Sequence, residues 1–542
     1  MKKETVIRNI VIALLSVFTA VVKHISDEGD FGIKTLDGVI DLCSSALIFF
    51  IIFCLVEFSI FFFAVKVPGG GIKGIELGLD RKGILISSCF CFILNIPYII
   101  IFYPGVCNWD TINQLTDFFT GKDPMSFSWI PGQETVSCFL NDHHPVFDTI
   151  IYSMFIGIGK SLGNINAGMF LFTVVQVALM SLCIGLMVCY LSKLGVPLIY
   201  RQFALLFVSL MPCLCVFNVT MIKDSTYSLF FIIYLIVYID IVRKGADLKT
   251  IVLYTALSLL LCLTKKTGVY LVLISGLALL LAPSLKGKRL RMLIPTVIPV
   301  SVMFILLPKV IFPMADIYPG GKQEMMSTFI QQTARVVVDH GEELSSEEKD
   351  IIDNIVDYDG IEDNYSLTSS DNVKDTYRFE ATGEERAEFM KLWISLVFRY
   401  PGSCIKATLG TCGGFFSPVS TIQIYTGIPS QDWVEASNPE GLSSVRLGVK
   451  DLYNKVCSMK YPVPFYTVIY SWWIPLFTLL FVLERKSLKH VLCLVPVLVS
   501  ILVLFASPYN GARYALSLIY TAPLIIGIIF SKELYIKEKK QG

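Results

Sequence analysis

Apolar runs of 13 to 25 residues recur along nearly the whole chain, separated by polar or charged loops, and this alternation leaves few folds open. Inside hydrocarbon every backbone N–H and C=O must find its partner within the chain, so only helices and closed barrels can cross. The runs are apolar on every side instead of alternating at each second residue, which selects helices. Twelve are read, Val6 to Val22, Leu42 to Ala64, Ile84 to Phe102, Ala167 to Leu191, Phe203 to Phe217, Tyr227 to Val242, Ile251 to Leu263, Val269 to Leu281, Met292 to Ile311, Pro464 to Val482, Val491 to Phe505 and Tyr514 to Phe530. With 54% hydrophobic and only 16% charged residues among 542, and a mean hydropathy of +0.65, a soluble domain of this length is excluded. The expected fold is an all-α polytopic membrane protein of about twelve transmembrane helices.

Loop charge gives the expected orientation. With the amino terminus in the cytoplasm, every inner segment is basic: Lys2, Lys3 and Arg8; Lys66, Lys73, Arg81 and Lys82; Lys193 and Arg201; Arg243, Lys244 and Lys249; Lys286, Lys288, Arg289 and Arg291; Arg485, Lys486 and Lys489; and Lys537, Lys539 and Lys540. Both termini are then cytoplasmic, and the expected location is the plasma membrane. Lys2-Lys3 before the first run resembles the flank of a signal peptide, but no small-residue cleavage site precedes Lys23-His24, so the run is expected to stay as a helix. The near-neutral formal charge of +1 excludes a polybasic nucleic-acid binder.

Five parts follow: three spans over 1–102, a first outer loop over 103–166, six spans over 167–311, an outer region over 312–462, and the last three spans with a cytoplasmic tail over 463–542. The outer region holds an acidic block from Asp339 to Glu388 and is expected to be a small folded domain or lid. Asp357-Tyr358-Asp359-Gly360 fails as an EF-hand, because the register puts Ile355 at the first ligand position and Ser366 at the last. The glycine-rich stretch from Gly69 to Gly74 lacks the ending of a phosphate loop and reads as a linker. No Cys/His set has zinc spacing, and Cys107 and Cys138 share a loop in which the sequence leaves their bonding open. No metal or cofactor is expected.

The first outer loop reads as two interfacial helices around a polar turn. Asn108 is a good cap, and Ile112, Leu115, Phe118 and Phe119 follow at helical spacing with Asp110, Gln114 and Asp117 between them. The second helix follows His143-His144, with Pro145 expected at its first position. Asp110 falls in a first helical turn, where the helix dipole favours a carboxylate able to accept a proton or hydrogen bond. Trp109, Phe127 and Trp129 supply rings on which a sugar can stack.

Cations stand where a positive-inside protein should be poorest in them. Lys223-Asp224, Lys265-Lys266 and Arg513-Tyr514 all lie at the outer ends of spans, at headgroup height, where Arg grips phosphate through two parallel hydrogen bonds and Lys snorkels. Contact with bulk lipid headgroups is the plainer explanation for any one of them. Glu57, inside the second run, needs a partner that the sequence does not name.

An acidic motif at the exit of the third span, a later His144-Pro145-Val146 turn, Lys223-Asp224, and Arg513-Tyr514 entering the last span resemble the multi-pass GT-C glycosyltransferases, above all the protein O-mannosyltransferase and aminoarabinose transferase branch. The resemblance covers most of the chain in topology and a handful of residues in motif. It implies transfer of a sugar from a polyprenyl-phosphate donor on the outer leaflet to a glycan, lipid or protein acceptor in the cell envelope. Asp110 would be the general base toward the acceptor hydroxyl, with Lys223, Lys265, Lys266 and Arg513 stabilising the departing phosphate and His143 and His144 assisting either substrate; no metal is implied. Departures from that branch are Asp110-Thr111 in place of an acidic pair, Pro145-Val146 in place of a double proline, the acidic outer block, and no clear soluble carboxyl-terminal domain. They imply a divergent bacterial member whose acceptor does not carry over. Two other classes compete. A flippase of lipid-linked sugars would need a polar path through the spans, and a noncatalytic envelope assembly protein would use the acidic region as a docking surface.

Overall fold

The computed structural model describes residues 3–66, 76–120, 139–430, 436–460 and 462–531. Its first eleven helices are α1 (Lys3–Glu28), α2 (Leu36–Lys66), α3 (Arg81–Ile101), α4 (Trp109–Thr120), α5 (Val146–Ser161), α6 (Ile165–Lys193), α7 (Leu198–Leu210), α8 (Pro212–Asn218), α9 (Lys223–Lys244), α10 (Leu248–Thr264) and α11 (Gly268–Leu279). Among the described residues seven helices are long and apolar enough to cross a membrane: those at Val6–Glu28, Leu36–Ile60, Arg81–Ile101, Ile165–Lys193, Lys223–Lys244, Arg289–Met314 and Ala512–Ile529. Helices α7 and α8 make an eighth if taken together, bent by 63° at Met211-Pro212. There Pro212 has no N–H to donate and pushes Met211 into an extended conformation. Four shorter apolar helices, α10, α11, Ile469–Glu484 and Leu488–Leu504, complete the set. Each of the twelve apolar runs overlaps one of these helices or the bent pair α7–α8. The chain is an all-α membrane protein.

Burial separates a centre from a rim. The last helix is 83% buried inside the protein and α9 67%, whereas α2 is 11% buried. An apolar helix left this bare is suited to lipid, while the central helices must pack by shape, since lipid tails are as apolar as their side chains. Glu57 on α2 finds its partner in Arg8 of α1, 2.9 Å away, which also reaches Glu484 at 3.3 Å.

The connections sort onto two ends of the bundle. At one end Lys193 pairs with Asp240, Arg201 donates to the carbonyl of Leu77, and Ser284 donates to the carbonyl of Ile241. At the other end two pairs of two-residue parallel strands gather the segments that the charge pattern sends outward. Strand β1 (Val106–Cys107) pairs with β3 (Thr220–Met221), and β2 (Leu140–Asn141) with β4 (Ile317–Tyr318). The acidic region stands at this end. Its helices Gln323–His340, Ser346–Asp353 and Gly383–Arg399, with the start of Pro401–Phe416, enclose a core that includes Ile330, Ile352, Val356, Phe389 and Leu396. Capping boxes at Ser345/Glu348 and Thr382/Glu385 start two of these helices. Much of its acidity is spent internally: Asp339 binds Arg335 and Lys406, Glu348 binds Arg399, and Lys374 joins Glu324 to Asp371.

Candidate functional site

Asp110 and Lys223 are brought together by their backbones before their charges meet. Gly105, at φ 147°, lets the chain turn out of α3, and a Cβ there would lie 2.4 Å from Thr173 Oγ1. The β1–β3 pairing then sets the residues before Asp110 beside those before Lys223. Asn108 caps α4 as expected, its Oδ1 accepting from the Thr111 N–H at 3.1 Å. The Thr111 hydroxyl donates to the Met221 carbonyl at 2.6 Å and ties α4 to β3. Beneath, Gln176 Nε2 donates to the carbonyls of Asn218 and Thr220, Asn218 Nδ2 donates to Asn95 Oδ1 at 3.0 Å, and the Tyr520 hydroxyl donates to Asn218 Oδ1 at 2.5 Å. These buried amides satisfy carbonyls that the end of α8 leaves without helical partners.

An alternating chain of charges results. Asp110 Oδ2 lies 2.9 Å from Arg513 Nη2 and 3.3 Å from Lys223 Nζ. Arg513 Nε lies 3.9 Å from Asp224 Oδ2, and Asp224 Oδ1 lies 2.8 Å from Lys265 Nζ. Tyr514 closes the group, accepting from Arg513 Nη2 at 3.3 Å and placing its ring 4.8 Å below Lys265. Three cations thus share two carboxylates. Lys266 and Asp142 form a separate pair at 2.9 Å.

The first loop supplies neutral groups beside this network. Lys223 Nζ donates toward His144 Nδ1 at 3.4 Å, which leaves the imidazole proton on Nε2, where it meets no acceptor. Burial, reinforced by the charge of Lys223, holds the His144 pKa well below the usual histidine range. His143 stacks edge-on against His144, with ring centroids 4.5 Å apart. Burial alone would raise the Asp110 pKa, but Arg513 and Lys223 outweigh it and hold the carboxyl far below the usual carboxylate range. Asp148 is its opposite: fully buried, with neither carboxyl oxygen partnered, and pushed well above the usual range by burial. Asp142 also rises, because burial exceeds the opposing pull of Lys266.

Of the residues expected at a site, Asp110, His143, His144, Lys223, Asp224, Lys265, Arg513 and Tyr514 converge, with Lys266 alongside. Trp109 does not join them: it is 56% exposed. Phe127, Trp129 and Cys138 lie outside the described residues. Helix α4 differs from the surface-lying helix expected, since Thr111 to Asp117 are all buried. Its polar face holds its neighbours: Gln114 donates to Thr149 Oγ1 at 2.9 Å, and Asp117 accepts from the Asn141 N–H at 2.9 Å. Pro145 caps α5 and Val146 takes its first position, a shift of one residue. Asp148 escaped the sequence reading, although it lies in the first turn of α5, directly after His143-His144-Pro145.

The loop that presents Arg513 is held from the acidic region. Ser370 donates through its N–H and its hydroxyl to the Pro508 carbonyl, and the Asn510 N–H donates to the Thr368 carbonyl at 3.2 Å. On the other side Asn510 presses on Gly414, where any Cβ would fall 1.6 Å from the Asn510 oxygen. A cavity of about 440 Å³ opens separately among Thr426, Ser430, Ser437, Asn438, Ser443 and Arg446, and none of the charged network lines it.

No curated protein matches this chain, and no solved structure matches it. The pattern of one family, described as "Family of unknown function (DUF6020)", matches residues 79–541, which takes in every member of the charged network and leaves α1 and α2 before it. On that match the chain belongs to the DUF6020 family.

Proposed function

We propose that this protein is a membrane glycosyltransferase that takes a sugar from a polyprenyl-phosphate donor on the outer face of the plasma membrane and attaches it to a cell-envelope acceptor. The observation that carries the reading is the convergence of Lys223, Lys265 and Arg513 on Asp110 and Asp224 at one end of an apolar helical bundle. A lipid phosphate at headgroup height is the kind of anion these cations suit, and a carboxylate among them is placed to take the acceptor's proton. The sugar's anomeric carbon exchanges its bond to the phosphate oxygen for one to the acceptor oxygen. The bonding pair stays on the phosphate, and the acceptor's proton goes to Asp110. Twelve spans with both termini cytoplasmic put this site outside, as the basic inner segments suggest.

A flippase would use the same cations but needs a polar route across the bundle. The tyrosines buried between α9 and α10 make a poor one, because they are stacked and hydrogen-bonded to one another, Tyr254 donating to Tyr234 at 2.7 Å with ring centroids 5.0 Å apart. Purified protein incubated in detergent with a polyprenyl-phosphate sugar and envelope acceptors should release polyprenyl phosphate. Asp110→Asn should lower that release by about 10²- to 10⁴-fold, because the amide keeps the shape and cannot take the proton. If no lipid-linked sugar is cleaved while such lipids cross vesicle bilayers, the protein is a flippase.

A further inference from the structure

The carboxylate assigned as base is already paired with cations. A single oxygen of Asp110 takes both Arg513, at 2.9 Å, and Lys223, at 3.3 Å, the same cations that face a lipid phosphate in the proposed reaction. Arg513 also carries an unspent donor: its Nη1 is buried without a hydrogen-bond acceptor, its Nε reaches only Asp224 Oδ2 at 3.9 Å, and the His144 Nε2 donor likewise meets no acceptor. Buried charged donors are rarely left so, and a site that leaves them is one whose ligand has more acceptor oxygens than Asp110 provides.

Resting on the glycosyltransferase reading, we propose that Asp110 and the donor's phosphate compete for Arg513 and Lys223, so that the phosphate releases Asp110 from both cations and thereby arms it as the base. Asp110 is the internal stand-in for the phosphate. With the cations turned to the phosphate, the charges that suppress its basicity are neutralised, and the carboxylate recovers the affinity for a proton that general-base work requires. Donor binding therefore precedes activation of the acceptor, which protects the site from deprotonating an acceptor when no sugar is present.

Charge balance favours the exchange. Lys223, Lys265 and Arg513 against Asp110 and Asp224 leave one positive charge, and the phosphodiester of a donor carries one negative charge. Transfer adds a second negative charge to the leaving phosphate while the acceptor's proton neutralises Asp110. The network is neutral before and after the step, so no uncompensated charge develops in a poorly solvated place.

Binding of a short-chain polyprenyl monophosphate to the purified full chain tests this. Competition predicts that Asp110→Asn binds the probe about tenfold more tightly than wild type, although transfer is lost. Equal or weaker binding by a folded Asp110→Asn overturns the exchange and leaves the function reading standing. No binding by either protein overturns the function reading and the exchange with it. A second measurement needs no variant: adding the probe to wild type should move an infrared carboxylate band, whereas the uncharged polyprenol should not. A band unmoved by bound phosphate overturns the exchange.

Discussion

Arg513 does more for the site than supply charge. Its planar fork spans Asp110 on one edge and approaches Asp224 with its Nε, joining the start of α4 to the start of α9. Lysine keeps the charge and cannot make both contacts, so Arg513→Lys should weaken binding of polyprenyl phosphate by about 1–3 kcal/mol, measured on purified protein. Asp375, in the acidic region, offers a test by pH. Its pKa is raised to about 6, by burial first, with Asp371 and Glu324 adding to the shift and Lys374 opposing it. A folded-state value above the ordinary carboxylate value means that the folded region binds the proton more tightly than the unfolded chain does. Its stabilising effect is therefore full below about pH 4 and lost as pH rises through 6. Asp375→Asn should remove that slope and stabilise the region by on the order of 1 kcal/mol at pH 7, read as slower hydrogen exchange across the helix Gln323–His340.

At the scale of elements, the site depends on pieces that never touch a substrate. The segment from Ser507 to Ala512 is gripped between the acidic region and Gly414, and its position sets that of Arg513. Gly414→Ala introduces a methyl where the Asn510 backbone already sits, and the loop must move because neither backbone can yield cheaply. Phosphate binding should fall at least tenfold while the helices stay intact by circular dichroism; binding equal to wild type would show that the loop can shift without carrying Arg513. Helix α4 makes the same point. Its dipole and cap place Asp110, but its orientation is settled by Thr111, Gln114 and Asp117, three polar residues that a surface helix would turn to water.

For the whole molecule, the two-ended arrangement makes a prediction about sides. In a background cleared of accessible native cysteines, Asn372→Cys should react with an impermeant thiol reagent added to intact cells and Lys288→Cys should not; the reverse pattern would invert the protein and remove the mechanism with it. The sequence alone determined the apolar runs and hence the helices, because hydrocarbon admits backbone only where its own hydrogen bonds are met, and that constraint is written in length and composition. It also pointed to Asp110, Lys223, Asp224, Lys265 and Arg513, since a charge at the edge of an apolar run is costly enough to stand out. Tertiary structure decided which of those charges share a partner. Asp110 and Arg513 are about four hundred residues apart in sequence and 2.9 Å apart in space, and no local pattern encodes such a meeting. The same holds for Arg8 with Glu57, for Thr111 as a brace between α4 and β3, and for Asp148, whose isolation follows from what other helices fail to place beside it. Helix formation is local and periodic, whereas the pairing of charges is fixed by packing between helices, where long-range geometry outweighs anything a neighbouring residue can signal.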